Sequence, residues 1–309
     1  MKLFLLFVDG LGLGDPNPAV NPLVLAHMPA FRSLLGGRPL AREAVPYVGD
    51  GVAAVATDPR LEVPGLPQSA TGQTTIFTGV NAARAIGRHL NGYPTPRLKL
   101  ILNQFSIFRR VVEAGRTATF LNAFHPDFFR WVVEGQPDTP DRTYRPSAST
   151  VAALAAGLRV FRSYGQLLAG EAVAYDIDHS VLRAQGLDLP PVDPVEAGRR
   201  AARVAAKHDF TLFEYFLTDK AGHSQSMAEA VQALERLDKF VGGLLSALPP
   251  ETLLLITSDH GNVEDLSVRT HTFNHVPTIA IGPGAAEVVR RIRSLTDLVP
   301  VMTAVLGVR

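Results

Sequence analysis

The sequence predicts an α/β protein with a doubly wound, mostly parallel sheet and helices on both of its faces. Short apolar runs recur at lengths typical of buried strands, and helical patterns separate several of them. A largely parallel sheet must be covered on both faces, because its crossover connections are usually helices. The five predicted strands span residues 3–8, 117–121, 211–217, 252–257 and 278–281.

Three helical patterns lie between these strands. Residues 107–114 precede the second strand, and residues 195–206 precede the third. The clearest pattern separates the third strand from the fourth, with apolar residues stepping by three or four. These residues are Val231, Leu234, Leu237, Val241, Leu244 and Leu248. The alternation predicts βαβ units.

We predict one catalytic α/β domain over residues 1–309, with a small cap-like insertion at residues 130–193. The insertion opens with a stretch rich in Pro and polar residues, 135–149, and continues with an Ala-rich segment. We expect the insertion to be mostly helical, to lie over the catalytic site of the domain and to stay outside the main sheet.

Composition excludes several functional classes. The 30 Lys and Arg residues nearly balance the 29 Asp and Glu residues, so we expect no nucleic-acid partner. The N-terminal apolar run, residues 3–8, is shorter than the core of a signal peptide and ends in Asp9. No apolar stretch approaches membrane-spanning length. We therefore expect a soluble, cytoplasmic protein without a membrane partner.

Acidic and imidazole side chains stand next to four of the predicted strands. In open α/β sheets, ligands bind beyond the carboxyl ends of the strands. Asp9 follows the first strand, Asp219 and His223 follow the third, Asp259 and His260 follow the fourth, and His271 and His275 precede the last. Taken singly, each has a structural explanation as a turn, cap or loop residue.

Taken together, these side chains predict a metal site. Burying so many charged groups without a cation would be costly. The chain has no cysteine, so any metal must be held by oxygen and imidazole ligands, which suit zinc or manganese. Six ligands are too many for one tetrahedral site, and we therefore expect two divalent ions. The six are Asp9, Asp219, His223, Asp259, His260 and His271.

The stretch LPQSATGQTTIFTG offers hydroxyl groups to such a site: Ser69, Thr71, Thr74, Thr75 and Thr78. Ser69 is the predicted N-cap of a helix, a position that also suits an anion. A Ser or Thr hydroxyl beside a metal becomes a nucleophile for phosphoryl transfer. Thr71 is the second candidate for this role.

With these residues in order, the chain resembles the alkaline phosphatase superfamily, especially its cofactor-independent phosphoglycerate mutase and phosphopentomutase branch. The matching motifs are Asp9-Gly10, the SATG of residues 69–72, the Asp-x-x-x-His that ends at His223, the DHGN of residues 259–262, and the HT…VP of residues 271–277. The resemblance implies Asp219, His223 and His271 on one metal, and Asp9, Asp259, His260 and the nucleophile Ser69 on the other. His275 matches no ligand of the family.

The sequence departs from that branch in two ways. The branch has a histidine where this chain has Gln73. Ser69 and Asp219 are also too close in sequence to enclose the large cap in which the mutases hold their substrate. Thr78-Gly79 and Asn91 instead resemble nucleotide pyrophosphatases/phosphodiesterases, in which an Asn contacts phosphate oxygens. Asn91 could equally be the turn residue of an Asn-Gly pair.

The expected function is a metal-dependent phosphohydrolase or phosphotransferase that acts on a small phosphorylated substrate through a phosphoseryl intermediate. Arg84, Arg88 and Arg97 follow the nucleophile and either bind phosphate or form a solvated surface. Phosphodiesterase and phosphomutase activities are alternatives on the same scaffold, and a non-catalytic metal-binding protein is an alternative of another class. The Cys/Ser-x-Pro-x-Arg motif of sulfatases is absent.

Overall fold

Eight strands form one sheet in the computed structural model, which describes residues 1–135 and 144–308. The strands are β1 (Lys2–Val8), β2 (Tyr47–Gly49), β3 (Val52–Thr57), β4 (Ala118–Phe124), β5 (Phe161–Ser163), β6 (Phe210–Tyr215), β7 (Thr252–Thr257) and β8 (Val276–Ile281). They are arranged in the order β2-β3-β8-β7-β1-β6-β4-β5. All five predicted strands are present, whereas β2, β3 and β5 were not predicted.

The centre of the sheet is parallel, as predicted. Strand β1 pairs in parallel with β6 and β7, and β4 pairs in parallel with β6 and β5. One side of the sheet is antiparallel, because β8 runs against both β7 and β3. The beginning of β8 therefore lies at the same edge as the ends of β1, β6 and β7.

Helices cover both faces of the sheet, which confirms the doubly wound α/β fold. The helices are α1 (Pro22–Leu25), α2 (Pro29–Leu34), α3 (Ser69–Thr78), α4 (Ala82–Ile86), α5 (Pro96–Phe105), α6 (Ile107–Glu113), α7 (Pro126–Glu134), α8 (Ala148–Leu154), α9 (Tyr164–Leu168), α10 (Ser180–Ala184), α11 (Pro194–Ala205), α12 (Leu217–Ser224), α13 (Met227–Leu245), α14 (Ala285–Arg290) and α15 (Leu298–Leu306). Short 3₁₀ helices span Arg42–Ala44, Leu158–Val160 and Leu295–Asp297. Across residues 1–135 and 144–308, no helix combines the length and apolarity needed to span a bilayer.

Alternate side chains of β1 point to the two faces, as expected for a strand. Phe4, Leu6 and Val8 pack in the core that contains α11 and α13. Leu3, Leu5 and Phe7 pack in the core that contains α3 and α15. Asp9 follows in the register of the odd-numbered residues, and this places it toward the α3 face.

The predicted insertion does not stay outside the sheet. Strand β5 lies within residues 130–193 and pairs with β4 at the edge of the main sheet. Helix α8 of the same segment packs against the core residues around α3 and α6. The strand is only three residues long, too short to show an alternating pattern in the sequence. Residues 136–143 of the segment lie outside the described residues.

Candidate metal centre

Ser69 is the first residue of α3, and the N-cap is Gln68. The prediction that Ser69 itself is the N-cap was therefore wrong by one residue. The backbone of Gln68 is extended and its side chain makes no capping bond, so it leaves no polar signal in the sequence. Ser69 still lies in the first turn, where backbone amides lack intrahelical partners and favour an anion.

The threonines of α3 use their hydroxyl groups within the helix. Thr71 Oγ1 donates to the Gln68 carbonyl at 3.1 Å and accepts from the Leu90 amide. Thr74, Thr75 and Thr78 each donate to the carbonyl four residues earlier. The helix is buried over its whole length, so these bonds satisfy hydroxyls that have no access to water.

Asp9, Asp259 and His260 form the first cluster, and all three residues are buried. His260 Nε2 lies 3.3 Å from Asp9 Oδ1 and 3.5 Å from Asp259 Oδ2. Ser69 Oγ lies 2.9 Å from the same nitrogen. The expected nucleophile and three expected ligands therefore meet around one point.

Gln73 contributes to this cluster. From the sequence it was identified only as a residue that replaces a histidine of the phosphoglycerate mutase branch, and no contact with the site was predicted for it. Its Nε2 donates to Asp9 Oδ2 at 3.1 Å and to Asp259 Oδ2 at 3.2 Å. Asp9 Oδ1 is buried and receives no hydrogen bond from the described residues. A buried carboxylate oxygen without a donor is costly, and a bound cation would satisfy it.

Asp219, His223 and His271 form the second cluster. His223 Nε2 lies 3.4 Å from Asp219 Oδ2, and His271 Nε2 lies 3.6 Å from Asp219 Oδ1. The two imidazole Nε2 atoms are 3.3 Å apart. Asp219 and His223 are four residues apart on α12, so both side chains project from the same face of that helix.

The other ring nitrogens of the second cluster are held by backbone carbonyls. His271 Nδ1 is 2.9 Å from the Pro67 carbonyl, and His223 Nδ1 is 2.9 Å from the Arg269 carbonyl. A carbonyl can only accept, so each Nδ1 carries the proton and each Nε2 presents a lone pair to the cluster. Metal-binding histidines are commonly oriented in this way.

Burial and charge shift the pKa values in opposite directions across the centre. Burial and the Asp9 carboxylate raise the pKa of Asp259 well above its usual range. Burial alone would lower the pKa of His260, but the Asp259 and Asp9 carboxylates outweigh it and raise that pKa to about 10. Burial and repulsion from His260 lower the pKa of His271 to about 4.

Glu264 and Asn262 are buried and support the loops of the centre. Neither residue was predicted to have a role in the site. Glu264 accepts hydrogen bonds from the amides of Gly12 and Asn262 and from the side chains of Thr272 and Asn274. Asn262 Nδ2 donates to Asp219 Oδ1 at 2.7 Å. Both residues fall within or beside the DHGN motif, and their proximity to it was the available signal.

The remaining candidates lie outside the two clusters. Asn91 is exposed, and its Oδ1 accepts from the Gly92 amide at 2.7 Å, which agrees with the turn interpretation. Arg88 is exposed after α4, and Arg84 forms an ion pair with Glu62. His275 is exposed and its Nε2 is 3.5 Å from an Arg60 nitrogen. Substrate binding by Asn91 and Arg88 remains a prediction.

The donor set fits two divalent cations. Each cluster offers carboxylate oxygen and imidazole nitrogen within 4.8 Å of one another, and Ser69 adds a hydroxyl to the first. Mixed oxygen and nitrogen ligands suit zinc and manganese. Two such cations would also compensate the three carboxylates that the centre buries or half-buries.

Residues 190–309 match the family described as the Metalloenzyme superfamily. That segment contains every second-cluster residue, together with Asp259 and His260 of the first cluster. Related 2,3-bisphosphoglycerate-independent phosphoglycerate mutases include one from Methylobacillus flagellatus, 31% identical over 119 residues, and one from Halobacterium salinarum, 32% identical over 108 residues. These matches cover 35% and 32% of this chain but only 23% and 21% of the relatives.

Solved structures share the fold over almost the whole chain. A protein of Pyrococcus horikoshii has a TM-score of 0.57 at 15% identity, and 99% of this chain aligns with 97% of it. A cold-active alkaline phosphatase from Shewanella has a TM-score of 0.51 at 14% identity, with 99% and 100% coverage. The C-terminal periplasmic domain of EptC from Escherichia coli, in complex with zinc, has a TM-score of 0.52 at 12% identity. The alignment includes 100% of this chain and 83% of that domain.

Residues 190–309 are therefore similar to the Metalloenzyme superfamily and to part of the phosphoglycerate mutase relatives, and the chain as a whole shares its α/β fold with a cold-active alkaline phosphatase.

Proposed function

We propose that this chain is a two-metal phosphohydrolase or phosphotransferase that transfers the phosphoryl group of a small phosphoester to Ser69. The contact of 2.9 Å between Ser69 Oγ and His260 Nε2 carries the proposal, because it places the one hydroxyl at the start of α3 among the buried acids and imidazoles. The hydroxyl group of Thr71, the alternative nucleophile, donates a hydrogen bond to the Gln68 carbonyl.

Asp9, Asp259, His260 and Ser69 would hold one cation, and Asp219, His223 and His271 would hold the other. Bound cations of this kind neutralise charge on the phosphoryl oxygens and on the leaving oxygen. We propose manganese or zinc, and the zinc-bound EptC domain, which shares the fold, is in keeping with the second choice.

Ser69 acts from the first turn of α3, where the helix dipole and the first amides favour a phosphoryl anion. Ser69 Oγ forms a bond to phosphorus as the ester P–O bond breaks, and the serine proton ends on the released alcohol. The products of this step are phosphoserine and a free alcohol. Water then hydrolyses the phosphoserine, or a second hydroxyl of the substrate accepts the phosphoryl group.

A phosphomutase is the second candidate, supported by the phosphoglycerate mutase relatives. It differs from a hydrolase only in the acceptor of the second step. This chain aligns with less than a quarter of each relative, so the substrate of those enzymes is not carried over.

The test is an assay of p-nitrophenyl phosphate, bis-p-nitrophenyl phosphate and 3-phosphoglycerate with Mn²⁺ and with Zn²⁺. We expect turnover of the monoester that disappears in Ser69→Ala, while both ions stay bound and Thr71→Val remains active. Formation of 2-phosphoglycerate would select the mutase, and faster turnover of the diester would select a phosphodiesterase. Binding of two ions without turnover of any phosphoester would support the non-catalytic alternative.

A further inference from the structure

A cavity of about 290 Å³ lies at the ends of β4 and β6, beside the metal centre. Most of its wall is aromatic, although polar side chains also contribute. The residues that matter here are Phe124, Phe128, Trp131, Tyr175, Phe216 and Glu214. A cavity of this size is large enough for a single aromatic ring with substituents.

The aromatic side chains hold one another in place. The rings of Phe124 and Phe128 are 4.4 Å apart between centroids. Tyr175 stacks on Phe216 with centroids 4.8 Å apart and planes inclined by 21°. The first pair joins β4 to α7, and the second joins the segment before α10 to the residue that precedes α12. The aromatic wall is therefore formed by packed rings whose positions the fold defines.

Glu214 gives this aromatic cavity one acidic group. It is the second-last residue of β6, and its backbone amide and carbonyl both bond to the side chain of Asn122. Ser149 Oγ of α8 donates to Glu214 Oε2 at 2.6 Å. Among the described residues, this is the hydrogen bond made to the carboxyl group, and it leaves Oε1 as an acceptor that no described side chain uses.

The register of the sheet links Glu214 to the first metal cluster. Glu214 pairs with Phe7 of β1, and Asp9 lies two residues beyond Phe7. Side chains two residues apart on one strand share a face, so Asp9 and Glu214 are diagonal neighbours on adjacent strands. Phe216, two residues after Glu214, caps the helix that carries Asp219. The cavity thus adjoins the first cluster through Glu214, and the helix that begins after Phe216 carries Asp219 of the second.

We propose that this cavity binds the alcohol part of the substrate, that this part is a planar aromatic ring, and that it carries a hydrogen-bond donor directed at Glu214. This inference rests on the proposed phosphoryl transfer to Ser69. A ring fits between aromatic walls through offset and edge contacts that a saturated group of equal size cannot make. The described lining of the cavity includes no Lys or Arg that could pair with a carboxylate, which disfavours a glycerate and favours an uncharged aromatic alcohol.

Trp131 provides a direct test, because it is the only tryptophan of the chain and it lines the cavity. The protein is titrated with 3-hydroxybenzyl alcohol and, separately, with cyclohexylmethanol, while tryptophan fluorescence is followed. We expect a saturable change with the aromatic alcohol alone. Tyr175→Leu should weaken it, and Tyr47→Leu, on β2 at the other end of the sheet, should leave it unchanged. The readout requires no turnover.

A kinetic experiment compares benzyl phosphate with cyclohexylmethyl phosphate. Both esters release a primary alcohol. We expect kcat/KM to favour the benzyl ester, and loss of the ring in Trp131→Leu to reduce this preference by roughly two- to tenfold. We also expect 3-hydroxybenzyl phosphate to be preferred over benzyl phosphate. At pH 8, where the Glu214 side chain is ionised, Glu214→Gln should reduce that second preference about fivefold, since a hydrogen bond to a carboxylate is stronger than one to an amide.

The two experiments separate failure of this inference from failure of the proposed function. If no phosphoester is turned over but the aromatic alcohol changes the fluorescence of Trp131, the cavity assignment stands and the phosphoryl-transfer proposal fails. Equal responses to both alcohols, or an unchanged titration in Tyr175→Leu, would overturn the assignment of an aromatic ring. Equal kcat/KM for the benzyl and cyclohexylmethyl esters would overturn it in an active enzyme.

Discussion

The imidazole rings of His260 and His271 stack face to face, with centroids 3.6 Å apart and planes inclined by 12°. His260 belongs to the first cluster and His271 to the second, so this contact joins the two clusters into one centre. Two protonated rings would repel each other at this separation. In the metal-free protein, the pKa of about 10 for His260 and of about 4 for His271 make His260 the cationic ring and leave His271 neutral near neutral pH.

The first prediction concerns metal stoichiometry. Asp259→Ala removes one of the two carboxylates of the first cluster, and Asp219→Ala removes the single carboxylate of the second, so each variant should retain about one ion where the wild type retains two. Elemental analysis after dialysis measures the content. The matched control is His275→Ala, because His275 is exposed and lies outside both clusters. A wild-type protein that binds one ion, or a His275→Ala protein that loses one, would contradict the two-cluster assignment.

The second prediction concerns Gly72, which lies inside α3. Replacing a helical glycine by alanine usually stabilises a protein by about 0.5–1 kcal/mol. At Gly72 a Cβ atom would lie 2.9 Å from both the Cβ and the carbonyl oxygen of Asp259. Gly72→Ala must therefore push α3, and Ser69 with it, away from the first cluster. We expect lower stability and a loss of activity larger than the loss of metal.

Gly242 is the control for that substitution. It lies inside α13, and a Cβ atom there would meet the Ala30 side chain at 3.7 Å, an ordinary packing distance. Gly242→Ala should follow the usual rule and stabilise the protein in chemical denaturation. If both variants are stabilised equally, the close approach of α3 to Asp259 does not constrain the site.

The place of His271 in the site could be predicted from the sequence, but the strand direction that puts it there could not. His271 was grouped with residues that follow strands although it precedes β8. In a parallel strand that position would lie at the opposite edge of the sheet. The grouping succeeds because β8 runs antiparallel to β7, a direction that the apolar pattern of residues 278–281 does not reveal. Short apolar runs identify buried strands but carry no information on the direction of pairing.

Gln73 and β5 show what the pattern could not supply. The amide of Gln73 bridges two carboxylates that are 64 and 186 residues away along the chain, and such a contact has no local signature. Strand β5 has three residues and depends on pairing with β4, so tertiary context determines it. By contrast, the motif residues at strand ends were predictable because β1, β6 and β7 end at one edge.

The third prediction uses the two hydrogen bonds of Gln73. Gln73→Met keeps the length of the side chain but removes the donors to Asp9 and Asp259. Without metal, two buried carboxylates then lose a partner, and we expect a destabilisation of about 1–3 kcal/mol. With metal bound, the cation neutralises the same oxygens and the loss should be smaller. Denaturation with and without a chelator measures the difference, and an equal loss under both conditions would refute this role.

The last prediction concerns the pH dependence of stability through Glu214. Burial, with the Asp9 carboxylate as a further cause, raises the pKa of Glu214 from 4.5 to about 7 against the opposing hydrogen bond from Ser149. The folded metal-free protein therefore holds a proton that the unfolded chain releases between these two values. The stability contributed by the protonated Glu214 carboxyl group is fully present below pH 4.5 and is lost as the pH rises through 7.

The Glu214→Gln side chain cannot ionise, so the variant does not undergo this loss of stability. Relative to the wild type, the variant should thus gain roughly 2–3 kcal/mol between pH 4.5 and pH 8. Urea denaturation of both proteins at a series of pH values measures the gain, and a difference in stability that stays constant across the series would show that folding does not raise the pKa of Glu214.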